Sequence, residues 1–291
     1  SEFQQAIDLD PKYALAYSGL ADAYTTKAGV TSGHDSELYE KARALTTTAL
    51  ALDPNLADAH NSLAQVKYYY DWNWPAAEES FKKALELEPN NVNAHQFYGR
   101  LLATMGRYDE AIAEIQKARE LDPRSADLLV PLFAVLEKRS EFDEALRVLE
   151  TSLNMEGDLQ IAKRAVGKIH LLKGDFAKVI ELSNELFPPP DSPDLFWTSM
   201  LATAFHKTGQ ENRAAEMQAR LVKLSKTDSK ALYFLAMHYS ELNRRNEAIA
   251  ALEKCLELRE DRMVWTKDEP RFAGIKDDPR FNQILKRLNL S

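Results

Sequence analysis

The chain has 291 residues, 45% of them hydrophobic, and a formal net charge of −8. Apolar content at that level excludes a disordered chain, and an acidic balance with both signs interspersed argues against gripping a phosphate backbone. The single cysteine, Cys255, excludes an internal disulfide framework and a multi-cysteine zinc site.

Residues 1–13 read as the second helix of an incomplete unit, closing on Ala6-Ile7-Asp8-Leu9-Asp10-Pro11. Ser1 reads as the remnant of an excision from something longer. The closing phrase returns as Ala49-Leu50-Ala51-Leu52-Asp53-Pro54, as Ala84-Leu85-Glu86-Leu87-Glu88-Pro89 and as Ala118-Arg119-Glu120-Leu121-Asp122-Pro123. Its prolines stand 43, 35 and 34 residues apart. A period of about 34 is that of a helix-turn-helix repeat, and the longest gap is one period with an insertion. The unit from Ala14 holds that insertion near 28–36, a Gly, Ser and Thr-rich loop between its two helices.

The unit from Ala57 has an aromatic turn, Tyr68-Tyr69-Tyr70-Asp71-Trp72-Asn73-Trp74-Pro75. The unit from Val92 is the cleanest. Tyr98-Gly99 and Leu102 lie on its first helix, Gly106 suits a left-handed C-cap, and Asp109 and Glu110 complement the next helix dipole. Ala111, Ile115 and Ala118 then fall on one face at helical spacing. Later units start near Ala126, Gln160, Leu195 and Ser229; they lose the proline and keep the spacing. Residues 187–193, Phe-Pro-Pro-Pro-Asp-Ser-Pro, form a stiff connector that divides the chain into blocks 14–191 and 192–262. The tail, 263–291, repeats an acid-Pro-Arg-Phe phrase at Glu269–Phe272 and Asp278–Phe281. Phe281, Ile284, Leu285 and Leu288 after it mark one amphipathic helix, read as the cap a repeat array needs at an open end.

Seven copies at this period resemble the tetratricopeptide repeat (TPR). The resemblance implies an all-α, right-handed superhelical solenoid of antiparallel helix pairs, about seven full repeats after a truncated first one and before a C-terminal cap helix. The aromatic turn, the Gly106–Ala111 turn and the Asp-Pro-Arg-Phe tail together resemble the C-terminal TPR region of large bacterial signalling proteins, in which winged-helix regulators, serine/threonine kinases or nucleotide cyclases precede the repeats.

Nothing in the sequence marks an enzyme. There is no nucleotide-binding glycine loop, no His-Glu-x-x-His, no Cys-x-x-Cys and no nucleophile elbow. The paired carboxylates recur with the structural period, which identifies them as helix-start residues. His60 and His95 hold matching positions in consecutive units, but no third metal ligand accompanies them, so packing is expected and no metal or cofactor. Cys255 takes the place of a small core residue.

In such a solenoid the first helix of each unit lines the concave wall. By position, that wall includes Asn61, Gln65 and Tyr69, then Asn93, Gln96 and Arg100, then Arg164, Lys168, His206 and Tyr233. Amides can pair with an extended peptide backbone, and the cations attract carboxylates. Trp72 and Trp74 carry two readings, partner anchors or packing within their own turn. The expected role is a non-catalytic scaffold for a protein or peptide partner, or alternatively a regulatory or self-association arm of a larger bacterial signalling protein. A homo-oligomer is compatible with either reading, whereas neither nucleic acid nor membrane is expected to be bound by this segment. No apolar run approaches the roughly 20 residues of a membrane span. The cytoplasm is the favoured compartment, and the periplasm stays open if a membrane span exists elsewhere in the parent protein.

Overall fold

The computed structural model of the chain describes residues 2–30, 36–153, 159–186 and 194–290. Ser1, most of the insertion expected near 28–36 and the proline connector 187–193 lie outside the described residues. Two compact units form, Ser1–Arg124 and Ser125–Ser291.

The first unit opens with α1 (Glu2–Leu9) and continues in three helix pairs: α2 (Ala14–Val30) with α3 (Ser36–Leu52), α4 (Ala57–Tyr69) with α5 (Trp74–Leu87), and α6 (Val92–Thr104) with α7 (Tyr108–Leu121). The second holds four: α8 (Leu129–Lys138) with α9 (Phe142–Leu153), α10 (Leu159–Leu172) with α11 (Phe176–Leu186), α12 (Leu195–Lys207) with α13 (Glu211–Leu224), and α14 (Ser229–Glu241) with α15 (Arg245–Glu257). Two short 3₁₀ segments, Asp261–Trp265 and Pro270–Ile275, and a last helix, α16 (Pro279–Arg287), follow. First helices begin at Ala14, Ala57, Val92, Leu195 and Ser229, as the period requires. The remaining two differ slightly: a 3₁₀ turn at Ala126–Leu128 precedes α8, and α10 starts at Leu159.

The chemistry of each turn explains why the pairs form. Gly106 takes φ +78°, and the amides of Gly106 and Arg107 bond back to Ala103 and Leu102 in the two reverse bonds of a Schellman closure. Gly174 and Gly209 close α10 and α12 with the same pair of bonds, while Ser140 and Asn243 do so at φ 61° and 56° without glycine. Asn91, Asp194 and Asp228 cap α6, α12 and α14 by accepting from backbone amides. Asp278 caps α16 and Pro279 is its first residue, as the tail sequence suggests.

Packing follows the repeat. Within each unit every first helix packs on its own second helix and on the next first helix: α2 on α4 and α4 on α6, then α8 on α10, α10 on α12 and α12 on α14. The small residues Ala59, Ala64, Ala77, Ala84, Ala94, Ala111 and Ala118 are fully buried at these crossings, where only they permit close approach. Phe281, Ile284, Leu285 and Leu288 of the tail are buried, with α16 against α15.

Candidate partner-binding grooves

In the first unit the first helices α2, α4 and α6 pack side by side. Asn61 and Gln65 both lie on α4 and both are buried, Asn61 at 1% exposure with its Oδ1 meeting no partner among the described residues. Beside them the Ser62 hydroxyl donates to the Asp22 carboxylate on α2. Burial, with Asp58 adding to it, pushes Asp22 up to about 6 against the pull of that hydrogen bond. Tyr69 is half-buried with its ring 4.4 Å from that of Tyr68, whose hydroxyl pairs with Thr104 on α6 at 2.7 Å.

On α6 Asn93 is exposed and Gln96 and Arg100 are half-buried; the three share one face at helical spacing. The Arg100 guanidinium lies over the Phe97 ring, 5.4 Å from its centroid, and its Nε has no hydrogen-bond partner among the described residues. Asn93, Gln96 and Arg100 therefore form an accessible polar stripe.

Trp72 and Trp74 are core residues, at 6% and 4% exposure. The turn folds its rings inward, Trp74 standing edge-on to Tyr68 at 5.7 Å, while Arg43 holds Asp71 in a two-bond ion pair. The packing reading applies, and the anchor reading loses the exposure it requires. His60 and His95 each have partners of their own. Each points Nε2 at a loop carbonyl six residues earlier, Pro54 O and Pro89 O, both at 2.9 Å, and His95 also pairs with Glu114 at 2.6 Å. No group of three or more His, Cys, Asp or Glu among the described residues is placed to hold a metal ion. Cys255 is buried, its thiol against the Ser229 carbonyl at 3.8 Å.

The second unit corrects the positional reading more sharply. Arg164 donates to Asp194, the cap of α12, at 2.7 Å, and exposed His206 pairs with Glu211 at 3.1 Å. Lys168 and Tyr233 do not face open solvent, because the tail covers them. Lys168 is buried between Glu137 on α8 at 2.7 Å and Glu269 of the tail at 2.8 Å. Burial opposes its charge, but the two carboxylates outweigh it and hold the ammonium above its ordinary range. Tyr233, at 1% exposure, packs edge-on to Phe272 with ring centroids 5.5 Å apart. Arg271 is fully buried: it donates twice to Glu241 on α14, each bond 2.7 Å, and once to Ser199 on α12 at 2.8 Å. Glu137, Ser199, Glu241 and their tail partners were not among the wall residues picked by position. The only sequence signal is the acid-Pro-Arg-Phe echo at Glu269–Phe272 and Asp278–Phe281.

The tetratricopeptide-repeat family model matches residues 73–129 and 102–169, and a second model of the same description matches 229–262. Tetratricopeptide repeats are present in this chain. Human protein O-mannosyl-transferase TMTC3 is 27% identical over 225 residues, 74% of this chain and 24% of that protein. Anaphase-promoting complex subunit 3 of Schizosaccharomyces pombe is 23% identical over 167 residues, 57% of this chain and 25% of that protein. The chain thus spans about a quarter of the length of each of these two relatives. The solved structure of Pseudomonas aeruginosa PilF superposes with a TM-score of 0.55 at 21% identity, covering 77% of this chain and 94% of that one, a likeness of fold. The architecture is that of a TPR solenoid. No helix among the described residues is long and apolar enough to cross a membrane.

Proposed function

We propose that the chain is a non-catalytic scaffold whose first unit holds an acidic peptide or protein segment against α4 and α6. The observation that carries this reading is Arg100: a half-buried cation set over Phe97, making no ion pair among the described residues, in line with Asn93 and Gln96. A guanidinium already placed over a ring loses little further freedom on pairing with a carboxylate. The neighbouring amides can pair with extended backbone. Asn61, Gln65 and Tyr69 shape the floor and side of the same groove.

The test is an array of acidic and neutral peptides probed with the whole chain, wild type against Arg100→Glu. Binding that favours acidic peptides and falls at least about tenfold in the variant, as loss and reversal of a charge-assisted contact should produce, supports the reading. Binding indifferent to both peptide charge and Arg100 refutes it.

The alternative, a regulatory or self-association arm of a larger bacterial signalling protein, is supported by the resemblance of the Tyr70–Trp74 turn, the Gly106–Ala111 turn and the tail to such proteins. Sequencing the encoding gene on either side of this segment tests it: an adjoining effector domain supports it, and an open reading frame confined to these repeats refutes it.

A further inference from the structure

In the second unit a short segment of the tail lies against the first helices of three pairs. The segment Glu269-Pro270-Arg271-Phe272 runs past α10, α12 and α14, all first helices of their pairs, and contacts each through a polar side chain or a ring. From this arrangement we infer that the inner groove of the second unit is a recognition site for segments ordered acid-Pro-Arg-Phe-x-Gly, filled in cis by residues 269–274 and open to a partner protein carrying the same order. The site is separate from the Arg100 stripe of the first unit and stands or falls independently of it.

Three elements of that order meet the first helices directly, and the other two fix the backbone and its clearance. The acidic residue caps its own turn by accepting from the Arg271 amide, and its other oxygen takes the Lys168 ammonium. Proline starts the 3₁₀ turn, where its missing N–H costs nothing. Arginine bridges Glu241 by a two-bond fork that lysine cannot reproduce, and its third bond reaches Ser199. Phenylalanine fills a slot beside Tyr233. Glycine is required two residues later, because a Cβ on Gly274 would stand 2.1 Å from the Ser240 carbonyl oxygen. The second copy of the phrase fails this last requirement, with Gln283 at the corresponding place. Its Arg280 folds back on its own cap, Asp278, at 2.7 Å.

The wall is constructed to survive departure of the segment. Without it Lys168 keeps Glu137 at 2.7 Å, Glu241 keeps the Thr203 hydroxyl at 2.6 Å, and Ser199 keeps the Phe196 carbonyl at 3.1 Å. The buried Lys168 thus keeps a counter-charge, while Glu241, which is only part-buried, keeps one hydroxyl donor and exchanges its arginine for water. The occupant is a single short 3₁₀ turn, Pro270–Ile275, rather than a long helix, so few backbone bonds of its own need to break.

The experiment uses the whole chain and a fluorescent peptide with the sequence of residues 267–277. Wild type should bind it weakly, because the apparent affinity is reduced by the small fraction of chains with an empty groove. The Arg271→Ala chain, with its own occupant weakened, should bind at least about tenfold more tightly, and a peptide carrying the same Arg271→Ala change should lose that gain. A variant chain that unfolds cooperatively yet binds no peptide overturns the inference, as does binding that ignores the arginine of the peptide. Formation of wild-type dimers by exchange of tails would overturn the partner reading in favour of a second copy. Native-state hydrogen exchange on the wild-type chain covers the case of a variant that does not fold. Amides of 261–275 exchanging through an opening separate from that of α14 support the inference, and exchange only with global unfolding of α14 overturns it.

Discussion

Asp22 is a carboxylate placed where its charge is a burden, and Asp22→Asn should relieve it. The group is buried on α2 against α4, with the Ser62 hydroxyl donating to it and Asp58 nearby. Its pKa rises from 3.8 to about 6 in the fold, chiefly because burial disfavours the charged form. The folded state therefore binds the proton more tightly than the unfolded chain does. The resulting stabilisation is fully present below about pH 4 and is lost as pH rises through about 6. At about 1.4 kcal/mol per pH unit, the ionised carboxylate costs the first unit roughly 3 kcal/mol at neutral pH. Asparagine keeps an oxygen to accept from Ser62 and carries no charge, so the variant should be more stable by about 2–3 kcal/mol at pH 7.5. Near pH 4 the two proteins should match. Hydrogen exchange at α2 and α4 amides, read at both pH values, isolates the first unit from the second. A variant that is less stable at pH 7.5, or a difference that does not change with pH, would refute the reasoning.

The second unit should respond to acid in the opposite sense. Burial, with Arg271, His206 and Arg244 around it, holds His238 down to about 3 from an ordinary 6.5, so stability is full above 6.5 and falls as pH drops towards 3. The loss should reach about 3 kcal/mol by pH 4, and urea titrations from pH 7 to pH 4 with His238→Gln as the comparison should show a flatter profile for the variant. Gly99→Ala should destabilise the first unit by about 1–3 kcal/mol through overpacking, since the added Cβ would stand 2.7 Å from Ile115 Cγ1 and 3.1 Å from the Ala111 carbonyl; chemical denaturation reads it, and an unchanged midpoint would contradict the close crossing. Trp74→Ala should cost about 3–5 kcal/mol as a core truncation, whereas an exposed anchor would lose binding with an unchanged melting midpoint.

Repetition is what made the fold legible. A local pattern of helix starts, glycine stops and apolar spacing recurs with the chain, and each copy packs mainly on its neighbours, so short-range signals specify most of the contacts. The starts of α2, α4, α6, α12 and α14 are written in the sequence for that reason. So is the capping of α16 by Asp278, which needs only a carboxylate within two residues of an amide.

The grooves were legible only in part, because position on a helix assigns a face and does not say what covers it. Asn93, Gln96 and Arg100 remain accessible on α6, while Trp72 and Trp74 turn inward because the chain reverses between α4 and α5 around Tyr68. Lys168 meets Glu269 across 101 residues of sequence, and Arg271 meets Ser199 across 72. No local pattern encodes a contact at that separation. The sequence by itself determined the repeat, its period and the helix ends, all of which are short-range. Only the tertiary structure decided that the tail packs on α10, α12 and α14, because that depends on buried charges finding partners from distant segments.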